Sequence, residues 1–170
     1  MLSVVDCDPF GNLQVELVSY TIQDTSNYVF TLDFNGDATA SYTIPVGSDL
    51  VITFPSQYPL LPATVHTCAI ISWPTAYSTI TCSLTYQTLT IQNAFTSAVV
   101  IGMFSSLTMK WIVNDIKNPN YAQTTSQFRG VIKFNSTAVF NSFGPSTGLG
   151  ITITPGSLTA TMSVDPSGAD

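Results

Sequence analysis

The sequence has little charge. Only 8% of its 170 residues are Asp, Glu, Lys or Arg, against roughly 25% in an ordinary soluble domain. The surface must therefore be covered by Thr, Ser, Asn and Gln, residues that suit strands and turns. The formal net charge is −6 and the isoelectric point about 4.2, which excludes the basic footprint that nucleic acid binding requires. Histidine is scarcer still, with His66 alone. A Ser-His-Asp site would have to be built around it, and His66 reads instead as a structural residue in a strand. Glu16 is the one glutamate. No two carboxylates stand out from the turns as the pair that glycoside hydrolysis uses. The chain reads as a non-enzyme with no resident cofactor.

Long apolar runs are also missing. The longest aliphatic-rich stretch, Ala98-Val99-Val100-Ile101-Gly102-Met103-Phe104, is far short of the roughly 20 residues of a membrane-spanning helix. No membrane insertion by this segment is expected. Met1 is followed directly by Leu2-Ser3-Val4-Val5-Asp6 with no basic n-region, and the natural protein is expected to extend beyond this stretch. The charges that exist are uneven. Residues 1–109 carry seven acids and no Lys or Arg, and all four cations (Lys110, Lys117, Arg129, Lys133) lie between 110 and 133. Two neighbouring strands and their loop would account for that; a polar dipole that stacks copies head to tail is the alternative.

Helical periodicity is nearly absent, and two-residue alternation is strong. In Tyr28-Val29-Phe30-Thr31-Leu32-Asp33-Phe34 one face is Tyr28, Phe30, Leu32 and Phe34. Leu50-Val51-Ile52-Thr53-Phe54 alternates likewise and stops at Pro55, which cannot donate to a central ladder. Residues 107–114 turn Leu107, Met109, Trp111 and Val113 inward, and residues 128–134 place Arg129 and Lys133 opposite Phe128, Ile132 and Phe134. Weaker strands are expected over 13–20, 65–73, 79–84, 88–91, 98–103, 150–154 and 158–164. Asn35-Gly36-Asp37, Asn118-Pro119-Asn120, Gly144-Pro145 and Pro155-Gly156 break the chain between them. Short alternating strands with frequent turns predict an all-β, antiparallel, immunoglobulin-like Greek-key sandwich, with a barrel as the alternative.

A faint internal echo joins the two ends. Gly11-Asn12-Leu13-Gln14-Val15-Glu16-Leu17 and Gly156-Ser157-Leu158-Thr159-Ala160-Thr161-Met162 share a glycine, a leucine and the alternation, at an offset of 145 residues. A tandem array explains it. Residues 1–10 are then a junction with a preceding repeat, 11–157 the sandwich, and 158–170 its last strand or the start of the next repeat.

Three segments carry a family resemblance. They are Tyr28–Leu32 with Ile44-Pro45-Val46-Gly47-Ser48-Asp49-Leu50-Val51-Ile52-Thr53-Phe54-Pro55, then Asp115-Ile116-Lys117-Asn118-Pro119, then Ile151-Thr152-Ile153-Thr154-Pro155-Gly156-Ser157-Leu158. Together they resemble the immunoglobulin-like repeats of the large extracellular surface proteins of ciliates and other protists. The resemblance implies a cell-surface or fibre protein and supplies no catalytic residues. It implies neighbouring copies as partners, and other surface proteins or glycans beyond them.

Cysteines number three. Cys68 and Cys82 flank a candidate hairpin, and similar positions are cysteine in the repeats this chain resembles, so a Cys68–Cys82 disulfide is expected. Cys7 is left over, free or paired outside the domain. Calcium is the one candidate metal: in an array, Asp6 and Asp8 of one repeat would meet Asp165 and Asp170 of another, although Asp also caps turns without metal. Trp73 and Tyr77 lie in a candidate loop and are the aromatics for a sugar platform. Asn135-Ser136-Thr137 is the one glycosylation sequon. Three roles remain open: a structural spacer and assembly unit; a module binding glycan, ice or protein through threonines around Thr85, Thr88 and Thr90; and a viral jelly-roll or fibre subunit.

Overall fold

A computed structural model describes residues 11–35, 42–59, 61–73, 80–102, 106–135, 138–143 and 151–156. The strands are β1 (Gly11–Leu17), β2 (Thr25–Asn35), β3 (Tyr42–Ile44), β4 (Asp49–Thr53), β5 (Leu61–Ser72), β6 (Ile80–Tyr86), β7 (Thr88–Ile91), β8 (Val99–Ile101), β9 (Ser106–Lys117), β10 (Gln123–Thr124), β11 (Arg129–Phe134), β12 (Ala138–Phe143) and β13 (Thr152–Ile153). No helix occurs among the described residues.

Nine strands form one sheet in the order β1-β2-β9-β5-β6-β7-β4-β11-β12, and every ladder within it is antiparallel. β5, β6 and β7 make a meander, and β4, which precedes them in the chain, lies beside β7. The pairs β3–β8 and β10–β13 stand apart from the main sheet. Where two separate layers were expected, one continuous sheet curls until its edge strands β1 and β12 approach each other. Strand twist accumulates across nine strands and favours such curling.

The alternation expected for β2 sets the core. Tyr28, Phe30, Leu32 and Phe34 are fully buried, while Val29, Thr31 and Asp33 keep partial access to solvent. Across the β2–β9 ladder Phe30 opposes Trp111 and Leu32 opposes Met109. The Phe30 and Trp111 rings stack at 5.3 Å and 12°. From the far side of the curl come Phe54, Tyr58 and Phe128. Phe54 meets Phe128 at 5.0 Å and Phe30 at 6.0 Å, both edge-on, the tilted geometry that ring quadrupoles prefer. Burial of each such ring contributes about 1.5–3 kcal/mol. Trp111 Nε1 is the one buried side-chain polar atom without a hydrogen bond among the described residues.

The cations are placed differently from the sequence expectation. Lys110 and Lys117 are on β9, Arg129 and Lys133 on β11, and four strands separate β9 from β11 in the sheet. The clustering in sequence does not become a cluster in space, because the chain leaves β9 and reaches β11 on the far side of the curl.

Candidate functional site

One end of the fold is closed by a buried polar hub. Asn118, just past β9, is fully buried. Its Nδ2 donates to the carbonyls of Ser19 at 3.0 Å and Thr21 at 2.8 Å, and its Oδ1 accepts the Tyr28 hydroxyl at 2.5 Å. The Tyr28 hydroxyl also lies 3.2 Å from that of Tyr58. Backbone bonds from Asn118 N to Asp24 O and from Gln23 N to Pro119 O fasten the same loop. Segment 151–156 is stitched to it in turn: Ile22 N donates to Thr154 O, and Thr154 N to Tyr20 O. Asn118 thus ties the end of β9 to residues 19–28, and residues 151–156 join through the backbone of Tyr20 and Ile22.

Burial pushes the Tyr28 and Tyr58 phenols well above their ordinary value of 10.0. Both stay protonated in the fold, whereas in the unfolded chain they ionise near pH 10. Because the folded pKa is the higher one, stability is complete below pH 10 and falls as the pH rises beyond it. The expected slope is up to about 1.4 kcal/mol per pH unit for each phenol. Urea midpoints between pH 7 and pH 11 check this, and a flat profile would contradict the burial of these hydroxyls.

The opposite end is organised by turns. Gly47 has φ +77°, the left-handed region that glycine enters without penalty, and its N donates to Phe95 O at 2.8 Å. The buried Ser48 hydroxyl donates to Pro45 O, and Asp49 accepts the Asn93 N–H. Trp73 follows β5 here. Its Nε1 donates to Ala94 O at 2.8 Å, and its ring meets Trp111 edge-on at 5.7 Å. The half-buried indole closes this end of the core, and Tyr77, its partner in the platform reading, lies outside the described residues.

Cys68 and Cys82 are disulfide-bonded. Cys68 opposes Ile80 and Cys82 opposes His66, so the cysteines are diagonal neighbours on paired strands. Their Cα atoms are 6.2 Å apart, inside the range a disulfide spans. His66 Nδ1 donates to Asn114 O at 3.0 Å, in keeping with a structural role. Asn135 is exposed at the end of β11. Cys7, Asp6, Asp8, Tyr77, Asp165, Asp170 and the strand expected over 158–164 lie outside the described residues. No group of His, Cys, Asp or Glu suited to a metal ion occurs among those described. Gly144-Pro145-Ser146-Thr147-Gly148 has the spacing of a nucleophile elbow, but that motif belongs to a strand–turn–helix; these five residues also lie outside the described ones.

A cleft of about 680 Å³ opens among the described residues at the hub end. Thr53, Phe54, Pro55 and Ser56 form one wall, Thr124 to Gln127 another, and Gln87 and Arg129 complete it. The register explains the assembly. Thr85 opposes Thr88, Thr88 opposes Thr53, and Thr53 opposes Arg129, so three threonines and the guanidinium form one row across four strands. The next row runs Ser83, Thr90, Val51, Val131. The threonines therefore lie on the outer face, as expected, in a row that valines interrupt on one side and the cleft on another.

No family model and no curated protein matches the chain. Among solved structures, a family GH18 chitinase from Chromobacterium violaceum aligns with 85% of this chain at 11% identity and a TM-score of 0.32. The chain spans about a fifth of that protein's length (20%). No helix among the described residues is long and apolar enough to cross a membrane.

Proposed function

We propose that this chain is an immunoglobulin-like Greek-key domain of an extracellular surface or fibre protein, in which it serves as a structural repeat, both spacer and assembly unit. The observation that carries the reading is the use made of the resembling segments. Tyr28, Ile116, Asn118 and Thr154 all enter the hub or its core, and Gly47 and Ser48 fix the turn at the other end. Residues spent on internal bonding suit a module whose job is to hold its shape. The placement of β4 beside the last strand of the β5–β7 meander supports the Greek-key assignment, being that motif read in reverse chain order. The disulfide suits an oxidising compartment, and a hydroxyl-covered outer face of low charge suits the cell exterior.

Antibody raised against the domain and applied to intact native cells tests the location. Labelling before permeabilisation is expected; labelling only afterwards would overturn the extracellular assignment. A second reading, an adhesion module for glycans, is favoured by the polar cleft.

A further inference from the structure

We propose that the cleft between β4, the β6–β7 turn and residues 124–129 is a binding site for an anionic oligosaccharide, with Arg129 as its anion contact. This deepens the adhesion reading and is independent of the spacer role. Arg129 is the one arginine among 170 residues. It is exposed, and it lines a cleft whose other described walls contain no carboxylate. In a chain of net charge −6 the overall field repels anions, so an anion is held only where a guanidinium acts at short range with no acid beside it. The planar fork of arginine pairs with carboxylate and sulfate groups alike.

The remaining walls suit sugar hydroxyls. Thr53, Ser56, Gln87, Thr124, Ser126 and Gln127 offer both donors and acceptors, over an apolar floor of Phe54 and Pro55. Part of this lining is fixed in advance. Ser126 Oγ donates to Gln57 Oε1 at 2.9 Å, and Gln87 Nε2 donates to Tyr58 O at 3.0 Å. Such fixed polar groups in a cleft of this volume are usual for a saccharide-sized ligand. An acidic peptide would also satisfy Arg129, but it would leave most of these neutral donors and acceptors without use.

A second, independent observation lies next to Gln87. Tyr86, the last residue of β6, and Gln87 turn the chain from Thr85 to its partner Thr88, and Tyr86 sits at φ 54° with 64% of its surface exposed. Asn or Gly is the ordinary choice at such a corner. A bulky residue held at positive φ, with its ring in solvent, gains nothing for the fold. Tyr86 adjoins the cleft-lining Gln87 in the chain, and an exposed aromatic ring is the kind of apolar face against which a pyranose stacks.

Calorimetric titration of the disulfide-intact chain tests the proposal with four probes: a galacturonic acid hexamer, a heparin hexasaccharide, a maltohexaose and a glutamate hexapeptide. One or both anionic sugars are expected to bind, and the tighter of them names the anion. Arg129→Gln is expected to weaken that binding at least about tenfold with an unchanged melting temperature. Arg129→Lys is expected to fall between, since it keeps the charge and loses the fork. Tyr86→Asn is expected to melt higher and bind the sugar more weakly. The proposal is overturned if neither anionic sugar binds, if maltohexaose or the peptide binds as tightly, or if Arg129→Gln binds like the parent. A Tyr86→Asn variant that binds like the parent would overturn the part assigned to the ring.

Discussion

Replacing Asn118 with alanine is expected to destabilise the domain by about 3 kcal/mol, one of the two largest effects foreseen here. The side chain is fully buried and makes three hydrogen bonds, two as donor to the Ser19 and Thr21 carbonyls and one as acceptor from Tyr28. Alanine strands all three partners, and each buried group left unpaired costs about 1–3 kcal/mol. The loss is less than three full penalties. The carbonyls belong to half-buried residues that water can reach, and the Tyr28 hydroxyl can turn toward Tyr58. Tyr28→Phe removes the bond to Asn118 and the contact with the Tyr58 hydroxyl but leaves both Asn118 donor bonds in place, and is expected to cost about half as much. For a domain of this size the Asn118→Ala change corresponds to roughly 6–12 °C in Tm, which thermal and urea unfolding read directly. A loss of less than about 1 kcal/mol would mean that Asn118 does not hold the end of β9 to residues 19–28.

Removal of the Cys68–Cys82 bridge is expected to cost a similar amount, again about 3 kcal/mol. The bridge closes a loop with a sequence separation of 14, and loops of that length gain about 3 kcal/mol from restriction of the unfolded chain. Cys82 is fully buried and Cys68 packs against the core, so the double alanine variant also loses packing and is expected to be the worse of the two comparisons. Reduction of the native protein isolates the first contribution. Intact mass should rise by two hydrogens per chain on reduction, and the urea midpoint should fall with it. A mass that does not change would remove the bridge from the account.

Much of this fold is visible in the local pattern of residues. β2 and β9 show it best, because burial on one face imposes strict alternation, and Tyr28, Phe30, Trp111 and Val113 all sit where that alternation puts them. Pro55 likewise follows the end of β4. What escapes sequence reading is whatever depends on pairing between distant segments. β3 and β10 are too short to show a period, and β12 is paired across a register shift between Ile132 and Lys133. Whether strands divide into two layers or join in one sheet depends on ladders such as β5–β9 and β4–β7, which leave no local trace.

The sites divide in the same way. The cysteine pair was legible because its two members flank a hairpin. Asn118 was not, since Asn-Pro reads as a turn break and nothing nearby shows that the amide points into the core. Arg129 was legible only as an outward charge. Its place in a cleft depends on residues 53–56, 87 and 124–127, which meet only in the folded chain. Trp73 looked like a loop aromatic because the sequence cannot show that Ala94 O and the Trp111 ring lie within its reach.

The central claim is that this chain is a mechanical unit, a disulfide-braced sheet whose distinctive residues hold it together. Single-molecule stretching of the chain, pulled through its two ends, tests that most directly. The account predicts one cooperative rupture. Its extension should fall short of the full contour by the locked loop, roughly 50 Å for 14 residues at about 3.6 Å each, and the missing length should return under reductant. Gradual extension at low force, with no rupture and no difference on reduction, would contradict it.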